Sequence, residues 1–233
     1  MTRAPLGSRT VSRIGFGAMQ LPGPGVFGPP RDRDQGIAVL RRAVELGVDH
    51  IDTAQYYGPA VANELIRAAL WPYDPALVLV SKVGARRDES GAWLRWDSPA
   101  DPRQGIEDNL ASLGVEQLGA VNLRLMGDDA PLEGPAGRGA GPRRRPELRR
   151  ALQVTELMCV QNPLNVVDRS SLPALEECAA RGIAFVPFVP FGSGFGVDNV
   201  PDEPAVVATA ARLGATAPQV ALAWLPGDPQ QHR

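Results

Sequence analysis

The sequence predicts an α/β fold built from repeated βα units. Three observations carry this. Short apolar segments alternate with stretches of helical period along the first half of the chain. The segment 77–80, Leu-Val-Leu-Val, is apolar without alternation, as a strand covered on both faces of a parallel sheet must be. A length of 233 residues suffices for one α/β barrel or one doubly wound domain.

The elements follow in order. Residues 1–13 are polar and turn-rich. Residues 14–20 read as a strand with glycines at 15 and 17, which allow close approach to the backbone. A Pro/Gly loop leads to a helix capped by Asp32 or Asp34, with Ile37, Leu40, Val44 and Leu46 on its apolar face and Gly47 as its stop. Residues 48–51 form the second strand. A helix over 61–70, with Val61, Leu65, Ala68 and Ala69 inward, ends at Pro72. The strand 77–82 follows, then a loop with Arg86, Arg87, Trp93 and Trp96, a helix over 102–113 closed by Gly114, and a strand over 118–124.

The rhythm then breaks. Residues 133–145, EGPAGRGAGPRRR, hold four glycines, two prolines and four arginines without periodicity. The arginines could bind phosphate, but the composition favours a solvated linker. Helical turns at 147–152, a strand at 157–160, a helix at 171–181, a strand at 183–187 and helices at 203–213 and 218–225 complete the chain. This gives six strands, two short of the eight in a closed (β/α)8 barrel. The fold class is therefore an incomplete (β/α)8 barrel, a single domain over 1–233.

Composition narrows the function. Hydrophobic residues make up 44% and charged residues 21%, with a net charge of -2. This balance gives no support for nucleic-acid or membrane partners. No apolar run reaches transmembrane length, and no apolar segment follows the N-terminal arginines, so a cytoplasmic location is expected. Cys159 and Cys178 read as buried thiols of a reducing compartment. Two histidines, His50 and His232, and no Cys/His cluster leave metal chemistry without support.

The chemistry gathers at strand ends. Asp52 and Tyr57 follow the second strand, Lys82 the third and Arg124 the fourth. In a barrel such positions converge on one mouth. A phenol next to an ammonium becomes a better acid, and a carboxylate holds that ammonium in place. Such a phenol can give a proton to a carbonyl oxygen. The simpler reading of 51–58 is a strand end with an N-capping Asp and two packed tyrosines.

The chain resembles the aldo-keto reductases, in the bacterial branch of pyridoxal-reductase-like proteins. The matching stretches are GFGAMQL at 15–21, DTAQYYG at 52–58, VSKVG at 80–84 and VNLRLMG at 121–127. VQNPLNVVDRS at 160–170, GIAFVPFVPFG at 182–192 and GATAPQVALAWL at 214–225 continue the series in the same order. The resemblance implies a (β/α)8 barrel using NADPH, with NADH possible, to reduce a small aldehyde or ketone. It makes Tyr57 the general acid, Lys82 the residue that depresses its pKa and Asp52 the residue that orients Lys82. Tyr56 is then a packing neighbour. Where the family has a His, this sequence has Arg124. Arginine cannot serve as a neutral acid, so Arg124 is taken as a group that orients substrate, with a salt bridge at the barrel rim as the alternative. His50 precedes Asp52 in its strand and is expected to be satisfied in the core.

The resemblance also places Gln161 at the nicotinamide carboxamide and Phe188 on the nicotinamide ring. Phe191, Gly192, Ser193 and Gly194 fall at the pyrophosphate, and Gly17 and Met19 near the cofactor. It lapses twice. One strand and its cofactor-binding Asn are absent around 133–145, and the last strand is replaced by PGDPQQHR at 226–233. Frameshift in a high-GC coding sequence and true deletion both produce this pattern. Two other readings therefore stand beside the reductase: an inactive truncated relative, and a regulatory protein that binds a small ligand or dinucleotide. The expected partner is a small carbonyl compound; oligomeric state is not readable.

Overall fold

Parallel pairing is where the strand-ending residues acquire common neighbours. A computed structural model describes residues 2–124, 145–192 and 199–225. The chain divides into two compact units, Met1–Met126 and Gly127–Arg233.

The first unit opens with an antiparallel hairpin, β1 (Arg3–Leu6) and β2 (Arg9–Ser12). The sequence reads this stretch as turns only, because Leu6, Val11 and Ser12 are its only buried residues up to residue 12 and give little alternation. The hairpin is tied to the turn before the next buried strand. Ser12 N donates to Asp49 Oδ1 at 2.8 Å, and Arg3 pairs with Asp49 at 2.8 Å. β3 (Phe16–Gly17) is shorter than the expected 14–20. A 3-10 turn, Ala18–Gln20, takes over directly after it.

In α1 (Arg33–Glu45) the cap is Asp32, whose Oδ1 accepts from Gln35 N at 2.9 Å. Leu40 is fully buried, but Leu46 is 55% exposed. Leu46 is the C-cap, where the chain leaves helical geometry and the apolar stripe ends. β4 (His50–Asp52) lies between β3 and β5 (Val78–Arg87), parallel to both. α2 (Val61–Leu70) has the expected bounds and buries Ala62, Asn63, Leu65, Ile66 and Ala69, while Ala68 faces out. The first eight residues of β5 are all buried, as its apolar run predicts.

β5 then continues to Arg87 and pairs antiparallel with β6 (Trp93–Trp96), a segment the sequence reads as loop. Its charged and half-buried side chains hide the strand; the backbone partners come from the overrun of β5. α3 (Asp101–Leu113) ends at Gly114, whose φ of 71° places it in the left-handed region. β7 (Ala120–Leu123) returns parallel to β5 with Asn122 opposite Lys82. The parallel order is thus β3-β4-β5-β7.

The second unit contains α4 (Arg145–Val154), β8 (Cys159–Pro163), α5 (Leu172–Arg181), β9 (Ala184–Phe188), α6 (Pro204–Leu213) and α7 (Ala217–Trp224). β8 and β9 are parallel, with Gln161 opposite Val186 and Pro163 opposite Phe188. Leu148, Val160 and Cys178 form a core with Ile183 and Phe185. Val200, Val206 and Ala221 form another with Phe191. Thr216 and Gln219 make a capping box on α7. All six expected strands are present. The segments 133–144 and 226–233 lie outside the described residues.

Candidate active site

β4 ends on Asp52 and β5 carries Lys82. Because Asp52 pairs with Val80, Lys82 lies two residues further along the same direction, over the end of β4. Lys82 Nζ donates to Asp52 Oδ2 at 2.5 Å and to the Thr53 carbonyl at 3.2 Å. Asp52 Oδ1 is buried without a hydrogen-bond partner. Tyr57 follows in the turn after β4, and Lys82 Nζ lies 5.2 Å from its ring centre. Tyr56 packs edge-on against Tyr57 at 5.3 Å and against Trp93 at 5.4 Å.

Arg124 comes directly after β7. Its backbone N donates to Val83 O at 2.7 Å, which fixes it against β5. Gly84 makes this possible. Its φ is +97°, and a Cβ there would overlap the Arg124 carbonyl oxygen. The Arg124 guanidinium stacks over Trp93 at 4.2 Å and over Tyr56 at 5.4 Å. The four catalytic candidates therefore belong to one unit and share neighbours.

The electrostatics correct one expectation. Burial pushes the Tyr57 phenol above its ordinary range, the Asp52 carboxylate pushes it further, and Arg124 pulls it down. Lys82 was expected to depress it. The Lys82 ammonium instead bonds Asp52 and Thr53 O, and no hydrogen bond joins it to Tyr57 among the described residues. Burial also raises Tyr56, opposed by Arg124. The guanidinium is close enough to ease that ionisation, but the Tyr56 hydroxyl has no aligned hydrogen bond.

A buried amide network lies behind the strand ends. Asn63 of α2 accepts from Thr53 Oγ1 at 2.8 Å and donates to Asn109 Oδ1 at 3.0 Å. Asn109 of α3 accepts from Ser81 Oγ at 2.5 Å and donates to Gln55 Oε1 at 3.0 Å and Gly105 O at 2.7 Å. These bonds clamp the residues on either side of Asp52 and Lys82. Sequence reasoning missed them. The signal was present as asparagines on the apolar faces of two helices, where an amide must find partners.

His50 does not take the place of the missing histidine. It begins β4 while Asp52 ends it, its ring fills the space a Cβ at Gly15 would need, and its Nδ1 lacks a hydrogen bond. It is thus not satisfied as expected; Asp49 Oδ1 is 3.6 Å away.

Gly17 lies opposite Asp52 in the β3–β4 register. A Cβ at Gly17 would meet nothing within 4 Å and its φ is -87°, so neither packing nor backbone requires glycine there. That open space beside the carboxylate fits close approach of a ligand. Met19 is half-buried against the core of the same unit.

In the second unit, strand alternation puts Gln161 and Phe188 on one face of the β8–β9 pair. Val160 and Phe185 occupy the other face, packed with Leu148 and Cys178. Gln161 and Phe188 thus stand on the side away from that core, as ligand-facing residues must. Phe191 packs on Val200, Val206 and Ala221, so its ring is structural. Gly192 has φ +82°. Ser193 and Gly194 lie outside the described residues. Cys178 is buried and Cys159 half-buried, both as free thiols. Among the described residues no group of His, Cys, Asp or Glu could hold a metal ion, and no helix is long and apolar enough to cross a membrane.

Comparison with known proteins places this arrangement. The model of the aldo/keto reductase family matches residues 13–133. A pyridoxine 4-dehydrogenase of Escherichia coli K12 is 44% identical over 240 aligned positions, covering 94% of this chain and 82% of the relative. The chain belongs to the aldo/keto reductase family. An uncharacterized oxidoreductase of Schizosaccharomyces pombe is 31% identical over 94% of this chain and 75% of its own. Among solved structures, an aldo-keto reductase from Klebsiella pneumoniae in complex with NADPH superposes with a TM-score of 0.72 at 21% identity, covering 97% of this chain and 81% of that one. A thermostable aldo-keto reductase in complex with the inhibitor epalrestat gives 0.74 at 23%, covering 97% and 85%. The fold is that of the aldo-keto reductases, with six of the barrel's parallel strands in the described residues.

Proposed function

We propose that this family member reduces a small aldehyde or ketone to the alcohol with NADPH, NADH being the alternative donor, and that Tyr57 gives the proton. The Lys82–Asp52 contact beside the Tyr57 ring carries this reading. When bound, NADPH supplies the hydride that the carbonyl carbon accepts. Gln161 and Phe188 would hold the nicotinamide, and Gly17 would admit it beside Asp52. The backbone at Phe191, Gly192, Ser193 and Gly194 would face the pyrophosphate.

Burial and Asp52 keep the Tyr57 phenol protonated. The oxygen left by hydride addition is an alkoxide, a stronger base than a phenolate even when the phenol's pKa is raised. Proton transfer therefore becomes favourable as charge develops on that oxygen. The phenolate left behind faces the Arg124 and Lys82 cations, which stabilise it in a site screened from water. Asp52 and Thr53 O fix Lys82, and Arg124 orients the substrate.

The identity to a pyridoxine 4-dehydrogenase supports pyridoxal, whose reduction gives pyridoxine, as a candidate substrate. The test is NADPH fluorescence with the purified chain, followed by NADPH consumption on adding pyridoxal. A saturable fluorescence change and consumption of the cofactor are expected. No change at high micromolar NADPH would overturn the proposal.

A further inference from the structure

Arg124 and Arg87 approach the same indole. The Arg124 guanidinium lies 4.2 Å and the Arg87 guanidinium 4.1 Å from the Trp93 ring centre. Arg87 donates to the carbonyls of Gly91, Val26 and Gly25, and Asp88 is the carboxylate near it. Asp88 is itself occupied by Ser90 and the Ala92 amide. Burial and repulsion from Arg124 both disfavour the charge on Arg87.

Arg124 is more isolated still. It is 8% exposed, its Nε is buried without a partner, and it makes no salt bridge among the described residues. The other nearby cation, Lys82, is already matched by Asp52. A buried guanidinium without a counter-charge is costly, and a second one against the same ring raises that cost. A bound anion would remove it. The guanidinium also has the planar donor fork that carboxylates and phosphates accept from.

We infer that Arg124, backed by Trp93 and Arg87, forms an oxyanion subsite beside Tyr57, and that the preferred carbonyl substrates carry a carboxylate, phenolate or phosphate there. This rests on the reductase reading for its location beside the proton donor, but the subsite itself can be tested without turnover. Anions come from two sources, the substrate and the cofactor's phosphates. The proximity to Tyr57 assigns the subsite to the substrate.

The test has a binding arm and a kinetic arm, on the full chain at fixed ionic strength. In the first, benzoate and its neutral isostere benzamide are titrated without cofactor, read by tryptophan fluorescence. Benzoate is expected to bind saturably at least about tenfold tighter than benzamide, and Arg124→Met to lose about ten- to a hundredfold in benzoate affinity. Arg124→Lys should recover part of that loss. If Arg124→Met does not fold, Arg87→Gln serves, with a smaller loss of the same sign.

In the second arm, kcat/KM for 4-carboxybenzaldehyde is compared with that for methyl 4-formylbenzoate. Wild type should prefer the acid, and Arg124→Met should remove the preference with NADPH affinity unchanged. Equal affinity for benzoate and benzamide would overturn the inference, as would loss of NADPH affinity in Arg124→Met. Reduction of the neutral ester with no benzoate selectivity would sink the subsite and leave the reductase standing. Benzoate selectivity without turnover of any aldehyde would do the reverse.

Discussion

Lys82 Nζ lies 2.5 Å from Asp52 Oδ2, across two adjacent parallel strands. Both side chains are largely screened, 11% and 21% exposed. Removing one partner leaves the other charge poorly solvated. Lys82→Met or Asp52→Asn is expected to destabilise the first unit by about 3 kcal/mol, at the low end for a buried pair because Asp52 retains some water. The double variant should be less destabilised than the sum. Urea unfolding of the four proteins measures the coupling; strict additivity would mean the contact contributes nothing.

Asn109 connects Ser81, Gln55, Asn63 and Gly105. Asn109→Ala orphans several buried groups at once, so a loss of about 2–4 kcal/mol is expected. Urea unfolding measures the loss. Asn109→Asp should recover little, because it keeps the acceptor while discarding the donor to Gln55 and Gly105. A surface-like effect near zero would show that the network does not hold the strand ends.

Much of this arrangement was legible in the sequence. The unalternating run at 77–80 marked a fully buried strand, and α2 kept its expected limits between Val61 and Leu70. Asp52, Tyr57 and Lys82 were readable because each follows an apolar strand. The hairpin at the start and β6 were not, because their pairing depends on partners rather than on their own alternation. The charge state around Tyr57 was also hidden. It depends on how the Lys82 charge is shared, and on Arg124 and Trp93 meeting in space, which no local pattern encodes.

Gly84 is required where β5 passes Arg124. Gly84→Ala would need a side chain at φ +97° and would displace the Arg124 carbonyl. A loss of at least about 2 kcal/mol is expected from the combined strain and clash. Thermal unfolding checks it, and an unchanged midpoint would contradict the close approach of the two segments.

Alkaline pH should destabilise the protein. Burial raises Tyr56 and Tyr57, and raises Tyr73 to about 12. The folded state therefore keeps protons that the unfolded chain releases near pH 10. The resulting stability is complete below about pH 10 and is lost as pH rises through the folded values. Urea unfolding over the alkaline range should show the decline, with Tyr56→Phe reducing it. Tyrosinate absorbance rising at ordinary phenol pKa in the folded protein would contradict this.

The most direct test of the mechanism is Tyr57→Phe, assayed for both NADPH binding and carbonyl reduction. Phe keeps the ring packed against Tyr56 and removes only the hydroxyl. Reduction of pyridoxal should fall by about a hundredfold or more, while NADPH affinity stays within about twofold of wild type. Reduction at wild-type rate, or NADPH affinity falling in step with activity, would contradict Tyr57 as the proton donor.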